Sequence, residues 1–142
     1  LERAMGEGQF VLIYVDIDDF KEVNDQYGHA AGDELLRAVG ERLRRCVRIT
    51  DTLARIGGDE FAILITGDVE PPEVVADRVR LALRDPFAVH GSSVRVRASL
   101  GLVRHKAGGP APTSDDLLRQ GARVAAHAPR SAAVGNRRPR AV

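Results

Sequence analysis

The sequence predicts an α+β domain with a mixed central sheet flanked by helices, an arrangement related to the ferredoxin-like fold. One observation behind this is the order in which apolar residues follow a strand-like or a helical period, which reads β-α-α-β-β-α-β-α. The other is length, because 142 residues with 44% apolar content suffice for one core and are too few for two. We therefore expect one domain with one main site or surface.

The first three elements are a strand and two helices. Residues 10–17 form a nearly unbroken apolar run, which is typical of a central strand buried on both faces. Residues 18–27 place apolar side chains at helical spacing and stop at Gly28, which predicts a short helix. A longer amphipathic helix is predicted over residues 32–45. Its outer face carries Glu34, Arg37, Glu41, Arg42, Arg44 and Arg45.

The middle of the chain predicts a hairpin and a third helix. Residues 52–56 and 61–66 are short apolar runs separated by a segment with a Gly-Gly pair, which is typical of a β-hairpin. Pro71 and Pro72 then open a helix that continues to residue 84, because proline is tolerated in the first helical turn.

The last third of the chain predicts a strand, a loop and a final helix. The alternation over residues 94–103, after a turn at residues 90–92, predicts the strand. Residues 106–113 form a Gly/Pro loop, and Ser114 is the predicted N-cap of a helix over residues 117–128.

The predicted domain spans residues 10–128, because Pro129 ends the last helix. Residues 1–9 are interpreted as the remnant of a linker from a longer protein. Residues 129–142 lack apolar periodicity and are expected to form a divergent, disordered tail.

Charge and composition exclude several classes of function. The formal net charge is +1, which argues against nucleic-acid binding by bulk neutralisation of phosphates. The longest apolar run, residues 10–15, is much shorter than the roughly 20 residues that a membrane helix needs, so no membrane segment is expected. Cys46 is the single cysteine, so no intrachain disulfide forms. This fits a reducing compartment, and we expect a cytoplasmic protein.

Two acidic clusters lie at the ends of predicted neighbouring strands, and they are the first candidate site. They are Asp16, Asp18 and Asp19 after the first strand, and Asp59 with Glu60 in the hairpin. Either cluster alone is consistent with solvated surface acids. If both strands are central, the clusters meet, and carboxylates gathered without cations are costly. Hard oxygen ligands favour Mg²⁺ or Mn²⁺, so the pattern favours a metal-dependent nucleotide site.

The hairpin segment Gly57-Gly58-Asp59-Glu60-Phe61 resembles the signature of the GGDEF family, the diguanylate cyclases. Further blocks are similar to those of this family, in the same order and at the same spacing, and the match covers residues 10–101. These blocks are Asp16-Ile17-Asp18-Asp19-Phe20-Lys21, Asn24-Asp25, Gly28-His29 and Gly32-Asp33. The resemblance implies the nucleotidyl-cyclase-like version of the fold.

The resemblance also implies a reaction. Two GTP molecules are joined into cyclic di-GMP with release of pyrophosphate, each 3′-hydroxyl attacking the α-phosphate of the other. Catalysis then needs a homodimer, because each protomer presents one GTP. The resemblance places such a domain in the cytoplasm, in some cases as part of a larger signalling protein.

By the same resemblance, Asp16 ligates Mg²⁺ (or Mn²⁺) through its carboxylate and Ile17 through its backbone carbonyl. Asp59 ligates the metal and helps to deprotonate the 3′-hydroxyl, and Glu60 supports the second metal or the fold of the turn. This is the logic of phosphoryl transfer, in which metal ions neutralise charge and align the reacting groups.

The resemblance assigns substrate binding to two further groups of residues. Asn24 and Asp33 read guanine, because a carboxylate accepts from its N1–H and 2-amino group, which adenine does not offer. Taken alone, Asn24 is also consistent with a helix-surface polar group and Asp33 with an acid favoured by a helix dipole. The second group binds phosphate. The backbone amides of Phe20 and Lys21 cradle the β- and γ-phosphates, and Gly57 with Gly58 allows close approach of the backbone to the ligand. A solvated Lys21 is an equally good reading of its side chain.

A regulatory site is implied at Arg48-Ile49-Thr50-Asp51. The string has the form RxxD, which by composition alone is common, but it lies where the family has its inhibitory product-binding site. Arg48 suits phosphate or guanine acceptors and Asp51 suits guanine donors. Product feedback by cyclic di-GMP is the expected consequence.

The C-terminal segment departs from the family pattern. An ungapped alignment puts Ala126 where the family has a tyrosine and Pro129 where it has a phosphate-binding lysine. Two alternatives follow from this. One is a catalytically silent or weak module that holds GTP or cyclic di-GMP as a regulatory domain, and the other is a different nucleotidyl cyclase, which base preference would reveal. We favour a weakened enzyme over an inert one, because the acidic set is intact.

Overall fold

The central strand of the protein, β1 (Phe10–Asp18), has a hydrogen-bonded neighbour on each side. In the computed structural model, which describes residues 9–67, 70–105 and 113–127, the sheet order is β2-β3-β1-β6. The strands are β2 (Thr52–Arg55), β3 (Glu60–Thr66) and β6 (Arg97–His105), with a separate hairpin of β4 (Phe87–Val89) and β5 (Ser92–Val94). The helices are α1 (Phe20–Tyr27), α2 (His29–Arg44), α3 (Pro72–Arg84) and α4 (Ser114–His127).

The predicted α+β class, with helices covering a sheet, is confirmed. The sheet itself is antiparallel at each pairing among the described residues, where a mixed sheet was expected. The reason lies in the strand order. β1 and β2 run in the same direction, but β3 lies between them, so the two strands joined by a helical crossover are never neighbours.

The two faces of the sheet are buried by different helices. Ile13, Val15 and Ile17 of β1 belong to a large cluster with apolar residues of α2 and α3. Phe10 and Leu12 belong to a smaller cluster that includes Leu117 of α4. Because side chains alternate along a strand, Asp16 and Asp18 share the α4 face with Phe10 and Leu12.

The helix boundaries of the first half differ from prediction by two or three residues. Asp18 is still in β1 and Asp19 is left-handed, with φ of 55°, so α1 begins at Phe20 and not at residue 18. The next helix begins at His29, directly after Gly28 with its φ of 92°, where residue 32 was predicted. Both helix starts are set by a backbone turn at a residue with positive φ, and the spacing of apolar residues does not indicate such a turn.

The hairpin of β4 and β5 was not predicted. The sequence indicated the turn, which contains His90 and Gly91 with positive φ, but each strand has only three residues. Strand β6 accordingly begins at Arg97, where a start at residue 94 was predicted, and runs to His105. Short strands of this kind are below the length at which alternation is informative.

The last helix begins earlier than predicted, at Ser114, and its first turn is capped by the preceding residue. The Thr113 hydroxyl accepts a hydrogen bond of 3.1 Å from the Asp116 backbone N–H, so Thr113 takes the capping role that was predicted for Ser114. The predictions for residues 1–8, for the loop at 106–112 and for residues 128–142 lie outside the described residues. No helix within the described ranges is long and apolar enough to cross a membrane.

Helix α4 lies unusually close to β6, and two glycines allow this approach. A Cβ on Gly101 would meet the Gly121 carbonyl oxygen at 2.1 Å and the Ala125 nitrogen at 2.9 Å. A Cβ on Gly121 would meet the Cβ of Tyr14 at 2.7 Å. These contacts dock the helix over the half of the sheet next to Asp16 and Ser99 and determine where its C-terminal end lies.

We expect Gly101→Ala to lower the free energy of unfolding by about 1–3 kcal/mol, because the added methyl meets backbone atoms that cannot rotate away. Urea unfolding followed by circular dichroism measures this. The matched control is Gly40→Ala, inside α2, where the nearest atom of Phe61 is 3.4 Å away. This control should be neutral or stabilised by up to about 1 kcal/mol. Equal stability of Gly101→Ala and the parent would contradict the close docking of α4.

Candidate active site

The two predicted acidic clusters meet at one end of the sheet. Asp16 is paired across β1 with Glu60 on one side and with Ser99 on the other. The Ile17 N–H donates a 2.9 Å hydrogen bond to the Asp59 carbonyl oxygen, which ties the hairpin turn to the end of β1. Four residues selected from the sequence, Asp16, Ile17, Asp59 and Glu60, are thus brought together.

The Asp16 carboxyl is in an electrostatically unfavourable place. Partial burial, followed by the negative charges of Asp59 and Asp18, raises the pKa of Asp16 from 3.8 to about 6. A positive charge between these carboxylates would offset both effects. The site is therefore one that gains free energy by taking up a cation.

Asp18 and Ser99 form a contact that was not predicted from the sequence. The Ser99 hydroxyl lies 2.9 Å from Oδ1 and 3.1 Å from Oδ2 of Asp18 and donates to this carboxylate. Ser99 is a buried polar residue in an otherwise apolar stretch of β6, and this was the available signal. The contact fixes the Asp18 carboxylate on the same face of the sheet as Asp16.

The Gly-Gly turn is held by Arg55, a second residue that was missed. Its guanidinium donates to the carbonyl oxygens of Gly57 at 3.2 Å and Gly58 at 2.8 Å. Glu60 Oε1 lies only 2.4 Å from where a Cβ on Gly57 would be, whereas the same position on Gly58 is open. A side chain at position 57 would require the end of the Glu60 side chain to move, whereas Gly58 presents an open backbone surface.

The predicted phosphate-binding residues lie at the turn from β1 into α1. Phe20 packs against the large core cluster, whereas Lys21 is exposed. The first N–H groups of a helix have no intrahelical acceptor, so those of Phe20 and Lys21 lack one, while the Glu22 N–H donates to the Asp19 carbonyl at 3.0 Å.

The predicted guanine-reading residues lie where α1 meets α2. The Asn24 side chain packs on Gly32, where a Cβ would be 1.8 Å from Asn24 Oδ1. Asp33 follows Gly32 in the first turns of α2 and is exposed. The pair therefore flanks one junction, and Gly32 provides the space that Asn24 occupies.

Arg48 and Asp51 form a separate cluster. The Asp51 carboxylate accepts from the Arg48 backbone N–H at 2.9 Å, and the Arg48 guanidinium lies 3.5 Å from its other oxygen. Strand β2 lies between this cluster and the Gly-Gly turn, and its four residues span roughly 10 Å. Arg78, which was not selected from the sequence, lies close by and donates to the Cys46 carbonyl at 2.9 Å and to Glu70.

The Arg48–Asp51 pair has unused hydrogen-bonding capacity. Arg48 Nε, Arg48 Nη2 and Asp51 Oδ1 are buried and have no hydrogen-bond partner among the described residues. Buried polar atoms of this kind are rare in folded proteins and costly. A ligand with its own donors and acceptors would satisfy them.

Fold and site together define an α+β domain with a carboxylate centre at one end of its sheet. The sequence model for the diguanylate cyclase GGDEF domain matches residues 1–127. The chain belongs to the GGDEF family.

Individual relatives agree with this assignment. The chain is 42% identical over 113 residues to the uncharacterised protein YhcK of Bacillus subtilis, and this match covers 78% of the chain and 32% of YhcK. It is 41% identical over 116 residues to the bifunctional diguanylate cyclase/cyclic di-GMP phosphodiesterase MucR of Pseudomonas aeruginosa, covering 77% of the chain and 17% of MucR. The chain thus spans a third or less of the length of these two relatives.

A solved structure supports the fold. The EAL/GGDEF domain protein from M. capsulatus superimposes with a TM-score of 0.78 at 36% identity. The superposition covers 88% of this chain and 84% of that chain.

The donor chemistry of the carboxylate centre fits a divalent metal ion. Across the described residues, no group of three or more His, Cys, Asp or Glu side chains is arranged as a ready-made metal cage. Mg²⁺ is commonly held by one or two carboxylates together with water, and Asp16 and Asp59 could provide such carboxylates. The crowding that raises the pKa of Asp16 would be relieved by such an ion.

We expect Asp16→Asn to stabilise the metal-free protein, with an effect that depends on pH. The folded-state pKa of Asp16 is about 6, against 3.8 for an ordinary aspartate carboxyl, so as pH rises the folded state retains this proton to a higher pH than the unfolded chain does. The contribution of Asp16 to the free energy of unfolding of the parent protein is thus highest below pH 4 and is lost as the pH rises to 6. Because the carboxyl is partly solvated, we expect a gain of only about 1 kcal/mol for Asn above pH 6.

Urea unfolding in EDTA at pH 4 and pH 7.5 measures this difference. The control is Asp25→Asn on the exposed surface of α1. A gain for Asp16→Asn that is equal at both pH values would contradict the electrostatic explanation. Excess Mg²⁺ should stabilise the parent and leave Asp16→Asn nearly unchanged.

Proposed function

We propose that this domain is a diguanylate cyclase, which condenses two GTP into cyclic di-GMP and two pyrophosphates with Mg²⁺ as cofactor. The observation that supports this most directly is that Asp59 and Asp18 lie close enough to the partly buried Asp16 carboxyl for their negative charges to raise its pKa. In each half-reaction a 3′-oxygen forms a bond to the α-phosphorus of the other GTP, and the bond to pyrophosphate breaks. The cytoplasmic location expected from the sequence stays a prediction.

The chain's own residues have separate tasks in this proposal. Asp16 and the Ile17 carbonyl would hold the metal ion, and Asp59 would be a further ligand and would accept the proton of the 3′-hydroxyl. Glu60 would support the second metal ion or the turn. The bound ion would neutralise phosphate charge and align the attacking and leaving oxygens.

Substrate selection is proposed for the α1–α2 junction. Asn24 and Asp33 bind the guanine edge, and the backbone N–H groups of Phe20 and Lys21 bind the β- and γ-phosphates. Two protomers must face each other, because each brings one GTP to the shared reaction. The specific activity should therefore rise with protein concentration.

A regulatory module that binds GTP or cyclic di-GMP without turnover is the second candidate. It is favoured by one observation in the sequence, the presence of Ala126 and Pro129 at positions where the family has tyrosine and lysine. The loss of a phosphate contact slows a reaction without removing its metal chemistry, so we place this candidate second.

We expect the purified domain to convert GTP to cyclic di-GMP in the presence of Mg²⁺, and Asp59→Ala to lower the rate by at least about 100-fold through loss of the metal ligand and base. Chromatographic separation of the nucleotides measures both. Glu41→Ala, on the exposed face of α2, is the matched control and should retain the parent rate. ATP should give no cyclic product, because adenine lacks the N1–H and 2-amino donors from which the Asp33 carboxylate would accept hydrogen bonds. Binding of GTP without product from the parent would instead identify the regulatory module.

Product inhibition is proposed for Arg48 and Asp51. Cyclic di-GMP carries two phosphates and two guanines, and these offer partners for the unsatisfied Arg48 donors and the Asp51 acceptor. We expect Arg48→Ala to weaken binding of cyclic di-GMP by about 10- to 100-fold, as measured by calorimetry. Arg44→Ala, a nearby exposed arginine, should bind as the parent does. Equal affinities of the two variants would rule out this site.

A further inference from the structure

A cleft lies between α1 and the segment that leads from β5 into β6. It has a volume of about 460 Å³. Its lining includes the acidic residues Asp18, Asp19 and Glu22 and the arginines Arg95 and Arg97. The cleft therefore opens at the β1–α1 turn, beside the carboxylate centre.

Arg97 differs from the other arginines at this end of the sheet in having no partner. Arg55 donates to the carbonyls of Gly57 and Gly58, and Arg95 donates to the Arg84 carbonyl at 3.2 Å. Within residues 9–67, 70–105 and 113–127, the Arg97 side chain makes neither a hydrogen bond nor an ion pair, although Asp18 is its cross-strand neighbour. Its side chain is exposed and lines the cleft.

The register places Arg97 on the catalytic face of the sheet. It pairs with Asp18, and Ser99, two residues along the same strand, pairs with Asp16. Residues two apart on a strand share a face, so Arg97, Asp18 and Asp16 lie on one side of the sheet. An arginine at the first position of β6 is thus held by backbone hydrogen bonds next to the turn where α1 begins.

We infer that Arg97 binds the terminal phosphates of the nucleotide, an inference that rests on the proposed function. A triphosphate brings about four negative charges to a place already crowded with carboxylates, so it needs local cations beyond the metal. Arg97 and Lys21 are the exposed cations at this turn for which the described residues provide no partner. The planar guanidinium suits a phosphate better than an ammonium does, because it donates two parallel hydrogen bonds.

Arg97 also offers a reason why the chain tolerates Ala126 and Pro129. A cation at the start of a paired strand can take over charge neutralisation that a helix end does not supply. The competing explanation is that Arg97 only balances the charge of Asp18. In that case its removal would change binding of all ligands at the site alike, whatever their phosphate number.

The test compares nucleotides that differ only in phosphate number. Binding of GMP, GDP and a GTP analogue with a methylene group between the α- and β-phosphorus is measured by calorimetry with Mg²⁺, so no turnover intervenes. For Arg97→Ala we expect the affinity for the GTP analogue to fall by about 10- to 100-fold and that for GMP to change less than twofold. Arg97→Lys should recover part of the loss.

The matched control is Arg104→Ala, at the other end of the same strand, which should bind all three nucleotides as the parent does. Thermal unfolding of each variant checks that the fold is retained. Equal losses for GMP and the GTP analogue, or no loss for either, would overturn the inference. So would a parent that binds the GTP analogue no more tightly than GMP. Absence of cyclic di-GMP with a retained effect of Arg97→Ala would refute the cyclase and leave the phosphate-binding role intact.

Discussion

The pairing of β1 with a strand on each side is the constraint on which the rest of the structure depends. Because β1 is hydrogen-bonded to β3 and β6 over most of its length, its last residues cannot shift in register without breaking two ladders. Asp16 is therefore held between Glu60 and Ser99 and cannot move away from the neighbouring carboxylates. Burial of the apolar residues of β1 stabilises the fold, and this offsets the repulsion among the carboxylates at the end of the strand.

Backbone contacts make the same arrangement rigid on the hairpin side. The Ile17 N–H to Asp59 carbonyl hydrogen bond joins the turn to β1, and Arg55 holds two successive carbonyls of the turn. A charge-assisted hydrogen bond contributes more than a neutral one, about 1.5–3 kcal/mol. The acidic side chains thus project from a turn that is fixed by backbone groups and by Arg55.

The sequence predicted the elements and the acidic set well because both depend on local patterns. The run at residues 10–17 and the Gly-Gly hairpin are read directly from side-chain type and spacing. What it missed depends on contacts between distant residues. Arg42 was expected on the solvated face of its helix, yet its guanidinium donates to the carbonyls of Asp85 and Pro86 and stacks on Phe87. Nothing within a few residues of position 42 indicates this.

The charge of the molecule is balanced locally rather than as a whole. The net charge of +1 arises from nearly equal numbers of acids and bases, but Asp16, Asp18, Asp19, Asp59 and Glu60 lie together where β1 and the hairpin end. The arginines nearest to them differ in what they do. The Arg55 guanidinium donates hydrogen bonds to the carbonyls of the Gly-Gly turn, whereas the Arg97 side chain is exposed. Under the proposed function, Arg97, whose side chain has no partner among the described residues, would share the charge of an incoming nucleotide with a bound metal ion. Arg97, at the start of β6, is positioned by the same ladder that holds Asp16, so the register of β1 and β6 sets the distance between the residue proposed to hold the metal ion and the residue proposed to bind the phosphates.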